Sequence, residues 1–319
     1  MTGSGIERIA AERLELVRDA WLELADVHAA LVPQMGPLRA LPERWERRRA
    51  ALEASLAHPA SGVWVAWRDG AVAGFATARA ERAWSVRATS DPYGDLQTLC
   101  VLPGARGRGV GTALVGAAEA HLRAHGALDV TVTVATANTG ARRLYERAGY
   151  RPFVSRWWAR PVPDAGEPAL AVEAVAPQDV DALEPLHTAL MAHHAAVGPP
   201  YLPPQNPPDV AWAGLRESIA SPEAVNLVGG GGWVMVTPSD GYDFWDPGPI
   251  GHVDALVVGP EGRGAGVGAG LFAAALARLR ADGAAAVELD VIDGNDRAEA
   301  FYARHGLART FETLIKRLA

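Results

Sequence analysis

From Glu12 to Leu31 apolar residues recur every three to four positions among charged ones, the spacing of an amphipathic helix. A second such stretch runs from about Pro42 to His58. The period then shortens. "GVWVAWRDGAVAGFATARA" is two apolar strands around Asp69-Gly70, a dipeptide suited to a tight hairpin turn. "GDLQTLCVL" is another strand, ending at Pro103 and running into the glycine loop "RGRGVG" (Arg106 to Gly111). "GTALVGAAEAHLRAHG" returns to helical spacing, with Gly126 as its stop. "LDVTVTVA" reads as a strand, Asn138 caps a helix that Gly149 ends, and "RPFVSRWWARPV" closes the series as a strand.

The order then begins again. "ALAVEAVA" reads as a strand, Asp179 to Val197 as a helix and "GPPYLPPQNPPDVAWAG" as a proline-rich loop. "AVNLVGGGGWVMVTP" gives two strands across a glycine turn, and "GHVDALVV" leads into a second glycine loop, "RGAGVG" (Arg263 to Gly268). A helix from Gly268 to Ala281, the strand "AAVELDVI" and a helix from Asn295 to His305 follow. The correspondence is numerical. Val101 and Val258, Arg106 and Arg263, Asn138 and Asn295, Tyr145 and Tyr302 all stand 157 residues apart. An offset held without insertion over that length implies two copies of one domain, and the period is far too long for a solenoid. "ARPVPDAGEPAL" (Ala159 to Leu170) has the composition of a linker, which divides the chain into residues 1–163 and 164–319. Each half mixes helices and strands, an α/β reading.

Composition narrows the function classes only a little. The chain has 319 residues, enough for two separate cores. Net charge is −7, which argues against a nucleic-acid binder or a basic membrane-surface protein. No apolar run is long enough for a bilayer, and the N-terminal stretch mixes charges into its apolar pattern, unlike a signal peptide. Cys100 is the single cysteine, so no intrachain disulfide calls for an oxidising compartment. The expectation is a cytoplasmic protein.

The glycine loops carry the chemistry. Each stands between a strand and a helix start, where backbone N–H groups and the helix dipole favour an anion. A bare tight turn is the simplest reading of one such loop. A dinucleotide fingerprint needs G-x-G-x-x-G after the first strand of a βαβ unit; here Thr112 and Ala269 fall in the third place, and the loops come late in each copy. No P-loop motif is present.

"VLPGARGRGVG" (Val101 to Gly111) and "VGPEGRGAGVG" (Val258 to Gly268) resemble the first signature of the GNAT acetyltransferase superfamily. "NTGARRLYERAGY" (Asn138 to Tyr150) and "NDRAEAFYARHGL" (Asn295 to Leu307) resemble its second, apart from Leu307 at the last place. The resemblance implies two tandem domains, each a mostly antiparallel, splayed sheet flanked by helices, with an acyl-CoA ligand, usually acetyl-CoA, and no metal. It implies that backbone amides of Arg106, Gly107, Arg108, Gly109, Val110 and Gly111, or of Arg263, Gly264, Ala265, Gly266, Val267 and Gly268, hold the pyrophosphate. Leu99 and Val101, or Leu256 and Val258, would flank the pantetheine and thioester, and Asn138 and Asn295 would stand beside the cofactor.

Tyr145 and Tyr302 occupy the family's usual acid position; a core tyrosine is the plain alternative. At the family's usual base position stand Asp95 and His252, with a polar strand end as the alternative. Strict alternation would align Asp95 with Gln97 and Leu99, and His252 with Asp254 and Leu256. His193 and His194 lack further ligands at sensible spacing and read as surface; Trp157 and Trp158 read as packing between the domains. The function expected is N-acetyl transfer from acetyl-CoA to a primary amine of a small molecule, by a monomer or weak homodimer. A longer acyl-CoA or acyl-carrier donor, a hydroxyl acceptor, and a non-catalytic acyl-CoA-binding module stay open.

Overall fold

The computed structural model describes residues 5–82, 87–166, 170–239 and 241–318. The first half runs β1 (Gly5–Ile9), α1 (Arg18–Leu31), α2 (Leu41–Leu56), β2 (Gly62–Arg68), β3 (Ala71–Glu81), β4 (Tyr93–Val101), α3 (Val110–Ala124), β5 (Asp129–Ala135), α4 (Thr139–Arg147) and β6 (Arg151–Ala159). The second runs β7 (Glu173–Ala174), α5 (Glu184–Val197), α6 (Pro208–Ile219), β8 (Val225–Gly229), β9 (Gly232–Ser239), β10 (Ile250–Val258), α7 (Val267–Ala281), β11 (Ala286–Ile292), α8 (Asp296–Arg304) and β12 (Ala308–Arg317).

The strands β1 and β12 lie outside the stretches that the sequence reading assigned, and three assigned elements differ from it. The helix expected from Glu12 begins as a 3-10 turn over Ala11–Val17 and becomes α-helical at Arg18, as helix N-termini often do. "ALAVEAVA" contributes only the exposed Glu173–Ala174 edge to the sheet, in keeping with the weak strand preference of alanine. The tail of the proline-rich stretch is helix α6. Pro208 sits in its first turn, where a missing N–H costs nothing. Residues 167–169 of the expected linker lie outside the described residues.

Among the described residues the twelve strands form one sheet in the order β1-β2-β3-β4-β5-β12-β6-β11-β10-β9-β8-β7. The two halves have exchanged their last strands. β12 pairs with β5 of the first half, β6 pairs with β11 of the second, and β6 and β12 pair with each other at the seam. Loops cross the seam as well. Arg39 N–H donates to the Phe244 carbonyl at 2.9 Å, and Asp246 N–H to the Pro37 carbonyl at 2.8 Å. In the other direction Ala88 N–H donates to the Pro204 carbonyl at 2.9 Å, and Arg87 Nη1 to the Pro203 carbonyl at 2.8 Å. Trp158 is buried at this seam with Val32, Met35 and Ala135 on one side and Trp245 and Ala286 on the other. Trp157 packs instead among the core residues of α7.

The parallel pairs are β4–β5 and β10–β11. Both open. β4 and β5 pair only at Gly94↔Val130 and Asp95↔Thr131, and β10 and β11 only from Ile250↔Ala286 to Val253↔Leu289. Beyond those points the strands diverge toward the glycine loops, leaving one gap in each half.

Candidate active site

Each gap ends at a glycine loop. Gly107 and Gly109 have φ of 71° and 79°, and Gly264 and Gly266 have 81° and 78°, a left-handed conformation that disfavours a Cβ. Gly109 and Gly266 are the N-caps of α3 and α7. A Cβ at any of the four would meet nothing within 4 Å. Backbone geometry, and not crowding, therefore calls for glycine, and the space before the loop is open to a ligand. Two open glycine loops result, each at a helix N-terminus, where backbone N–H groups favour an anion. Arg106 Nε donates to the Val101 carbonyl at 2.9 Å, so this side chain fastens its loop.

A β-bulge sits on each splayed strand. Pairing with β3 skips Gln97, and pairing with β9 skips Asp254. One extra residue reverses the faces that follow it. Leu96, Leu99 and Val101 pack with the core residues of α3, whereas Cys100 packs toward α1, and Thr98 accepts a hydrogen bond from Arg48 of α2. Asp95 faces away from the Leu96 core, where the Thr131 hydroxyl donates to it at 3.3 Å and Arg79 stands 3.5 Å away. The alignment of Asp95 with Leu99 expected from strict alternation is therefore corrected. The same holds for His252 and Leu256: Val253, Leu256 and Val258 pack on the α7 side, and Ala255 and Val257 on the α5 side.

The first cleft, about 710 Å³, is walled by Glu23, Leu24, Val27 and Leu31 of α1, by Leu99, Cys100 and Val101, and by the loop residues Arg106, Gly107, Gly109, Val110 and Gly111. Asn138, Ala141 and Leu144 complete it on the α4 side. Asn138 also caps α4, accepting from Ala141 N–H at 3.1 Å. Tyr145 does not line this cleft. It is buried in the core, edge-on to Tyr150 at 5.7 Å between ring centroids. Asp95 and Arg108 are also absent from the wall. On the α1 side the second half fills space: Phe244 stacks on His28 at 5.7 Å and meets Trp21 edge-on at 6.0 Å. Buried Arg48 donates to Thr77 and Thr98 at 2.8 and 2.7 Å and to Asp243 at 3.2 Å.

The second cleft, about 270 Å³, is walled by Leu256, Val258, Arg263, Gly268 and Asn295, with Tyr302 on the α8 side and Leu190, His193 and His194 on the α5 side. Asn295 caps α8, accepting from Ala298 N–H at 3.3 Å. Gly264, Ala265 and Gly266 of the loop and Val267 at the start of α7 are absent from this wall. Burial pushes the Tyr302 hydroxyl well up, so it stays protonated. Asp254 and Asp290 face this cleft; His252 does not, but lies 3.8 Å from Asp254. Asp254 accepts from the Thr237 hydroxyl at 2.8 Å, and burial raises its carboxyl above the ordinary value, with His252 opposing. Asp290 is held by both forks of Arg156, at 2.9 and 2.8 Å, from the exchanged strand β6. Burial pulls His194 down to about 4, helped by His193, Arg87 and His187. His193 is exposed while His194 is half-buried. Among the described residues no group of three or more His, Cys, Asp or Glu side chains is placed to hold a metal ion, and no helix is long and apolar enough to cross a membrane.

Comparison with known proteins decides the family. A sequence model of the acetyltransferase (GNAT) family matches residues 24–150 and again residues 206–307. The chain belongs to the GNAT acetyltransferase family. It is 32% identical over 225 residues to a mycothiol acetyltransferase of Frankia casuarinae, a match covering 65% of this chain and 63% of that protein. The mycothiol acetyltransferase of Rhodococcus jostii is 29% identical, over 66% of this chain and 70% of its own. Among solved structures, a tandem GNAT protein from the clavulanic acid biosynthesis pathway shares the fold over 99% of this chain and 98% of its own, at TM-score 0.54 and 19% identity. A GCN5-related N-acetyltransferase from Sphaerobacter thermophilus does so over 98% and 95%, at TM-score 0.61 and 19% identity. Two tandem acetyltransferase folds are thus what the repeat encodes.

In this GNAT chain the sequence reading did not single out Glu288, Asp290 or Arg156, and named Asp254 only as a strand neighbour of His252. The repeat itself held the signal. At the 157-residue spacing Asp254, Glu288, Asp290 and Arg156 correspond to Gln97, Thr131, Thr133 and Thr313. The structure brings Thr133 and Thr313 together across β5 and β12, hydroxyl to hydroxyl at 2.9 Å, where the second half has Asp290 and Arg156. At that cross-strand position one half carries a neutral hydroxyl pair and the other an ion pair.

Proposed function

We propose that this acetyltransferase moves an acetyl group from acetyl-CoA directly to the primary amine of a small molecule, and that the second cleft does so. The observation that carries the reading is the company of Asp254 and Tyr302, which line one cleft. Both tyrosines are buried, but at the corresponding places the first half has Gln97 and Tyr145, neither of which lines its cleft. The relatives' name, mycothiol acetyltransferase, supports acetyl transfer in a small-molecule setting.

The donor's pyrophosphate fits the open cradle of Arg263 to Gly268, and the edge of β10 that has lost β11 can pair the pantetheine beside Leu256 and Val258. A backbone N–H on that edge can polarise the thioester carbonyl. The amine nitrogen attacks that carbonyl carbon and its proton passes to Asp254, directly or through water. The carbon–sulfur bond breaks, and the sulfur takes the Tyr302 hydroxyl proton. Burial suits both groups, keeping the acid protonated and making the base stronger.

The first cleft keeps the cradle of Arg106 to Gly111, so it binds acyl-CoA as well. Tyr145 does not line its wall, which favours holding without transfer. We place the boundary between the domains near Asp164 and expect a cytoplasmic monomer or weak homodimer, since one chain already contains the paired copies. Asp254→Asn tests the reading: turnover of amines should fall roughly 10²–10⁴-fold while calorimetric acetyl-CoA binding persists. Unchanged turnover overturns it.

A further inference from the structure

One helix roofs the gap of the first half. The thiol of Cys100, near the end of β4, donates to the Ala20 carbonyl of α1 at 3.4 Å. Just past the other end of α1, Val32 shares a buried cluster with Ala135, the last residue of β5. Since β4 and β5 diverge toward these ends, α1 crosses the opening between them. From it Leu24, Val27 and Leu31 line the cleft, at the spacing of a single helix face. Leu24 and Leu31 stand about 10 Å apart along the axis, at 1.5 Å per residue. Val27 is left 38% exposed, unusual for a large apolar side chain of this molecule. The same cleft runs on, past Leu99 and Val101, to the glycine loop.

The polar side chains of this wall stand elsewhere. Arg106 and Thr112 belong to the loop and the start of α3, and Asn138 and Arg147 to the two ends of α4. Glu23 is the acid of the α1 side, and it acts on the Cys100 thiol beside the loop. Burial pushes that thiol up to about 12, so Cys100 is neutral and forms apolar wall. The second cleft is different on the same surfaces. There α5 supplies His193 and His194 beside Leu190, and the strands supply Asp254 and Asp290. It is also smaller, about 270 Å³ against about 710 Å³.

Resting on the reading that the first cleft holds acyl-CoA, we propose that the acyl group it takes is a hydrocarbon chain of medium length, such as octanoyl, and that Leu24, Val27 and Leu31 select it. The glycine loop receives the phosphates, and the apolar roof of α1 receives the chain. An acetyl group brings one methyl to that surface, whereas each further methylene that leaves water against it adds affinity. The second cleft, with carboxylates and imidazoles on the matching surfaces, offers a longer chain no such gain. The two copies thus differ in the acyl group they hold: a short one where transfer occurs, a longer one where the ligand is only bound.

The test is calorimetric titration of the full chain with acetyl-CoA and with octanoyl-CoA. Two equivalents should bind, and at one of the two sites octanoyl-CoA should be tighter than acetyl-CoA by roughly 10–10²-fold, the effect of six more carbons partly withdrawn from water. Val27→Gln and Leu31→Gln, each placing an amide in the roof, should cut that preference about threefold or more, with acetyl-CoA affinity at both sites within about twofold of native. Equal affinity for both thioesters at both sites overturns the proposal. So does a preference that neither variant moves, which would put the chain in the second cleft. Loss of acetyl-CoA along with octanoyl-CoA in both variants would make the roof a pantetheine contact, and also counts against it. A single equivalent that neither variant alters means that the first cleft holds no acyl-CoA, and the underlying reading fails too. Two equivalents indifferent to chain length leave that reading standing and remove only the selectivity.

Discussion

One inserted residue on each splayed strand decides which side chains meet the cleft. The bulge at Asp254 leaves this residue on the cleft wall and turns His252 off it. Alternation could not show this, because a period of two assumes unbroken pairing. The glycine loops were legible for the opposite reason: a positive φ at Gly107, Gly109, Gly264 and Gly266 leaves a mark in the residue type itself. His194 belongs to the same scale. Its pKa is near 4 in the folded chain against about 6.5 when unfolded. Between those values the unfolded chain takes up a proton that the folded chain refuses. The stability this histidine leaves intact above about pH 6.5 is therefore lost as pH falls toward 4. His194→Gln should flatten that fall, so that melting temperatures of native and variant chains converge on acidification. Parallel profiles from neutral pH to about 4.5 would show that the half-buried imidazole carries no such linkage.

At the scale of elements, the helices and strands around the two signatures follow the sequence closely, including the Asn138 and Asn295 caps. The partners of β6 and β12 do not. "RPFVSRWWARPV" has the pattern of a closing strand and would read alike in either half, since periodicity records which face is apolar and not which edge is joined. The helix α6 was hidden by its prolines, which belong to its start. Exchange has an energetic consequence. Unfolding the second half withdraws β12 from β5, and unfolding the first withdraws β6 from β11. The halves should melt together. Calorimetry is expected to give one transition whose van't Hoff and calorimetric enthalpies agree; two resolved transitions would mean that the seam does not couple them.

Taken whole, the molecule is two copies of an acetyltransferase fold that have diverged in the middle of one continuous sheet. Both keep the cradle and the splay. The first copy carries Gln97, Thr131, Thr133 and Thr313 where the second carries Asp254, Glu288, Asp290 and Arg156, and its tyrosine does not line its cleft. The seam ties the copies together, since Arg156 serves the second cleft from a first-half strand and Asp243 holds Arg48 in the first half from a second-half loop. The central claim is that transfer happens in the second cleft alone. Steady-state turnover of Tyr302→Phe beside Tyr145→Phe tests it most directly, with acetyl-CoA as donor and an amine acceptor in common. The account predicts a loss of roughly 10²–10⁴-fold for Tyr302→Phe and near-native turnover for Tyr145→Phe. Near-native turnover for Tyr302→Phe, with the loss falling on Tyr145→Phe, would contradict it.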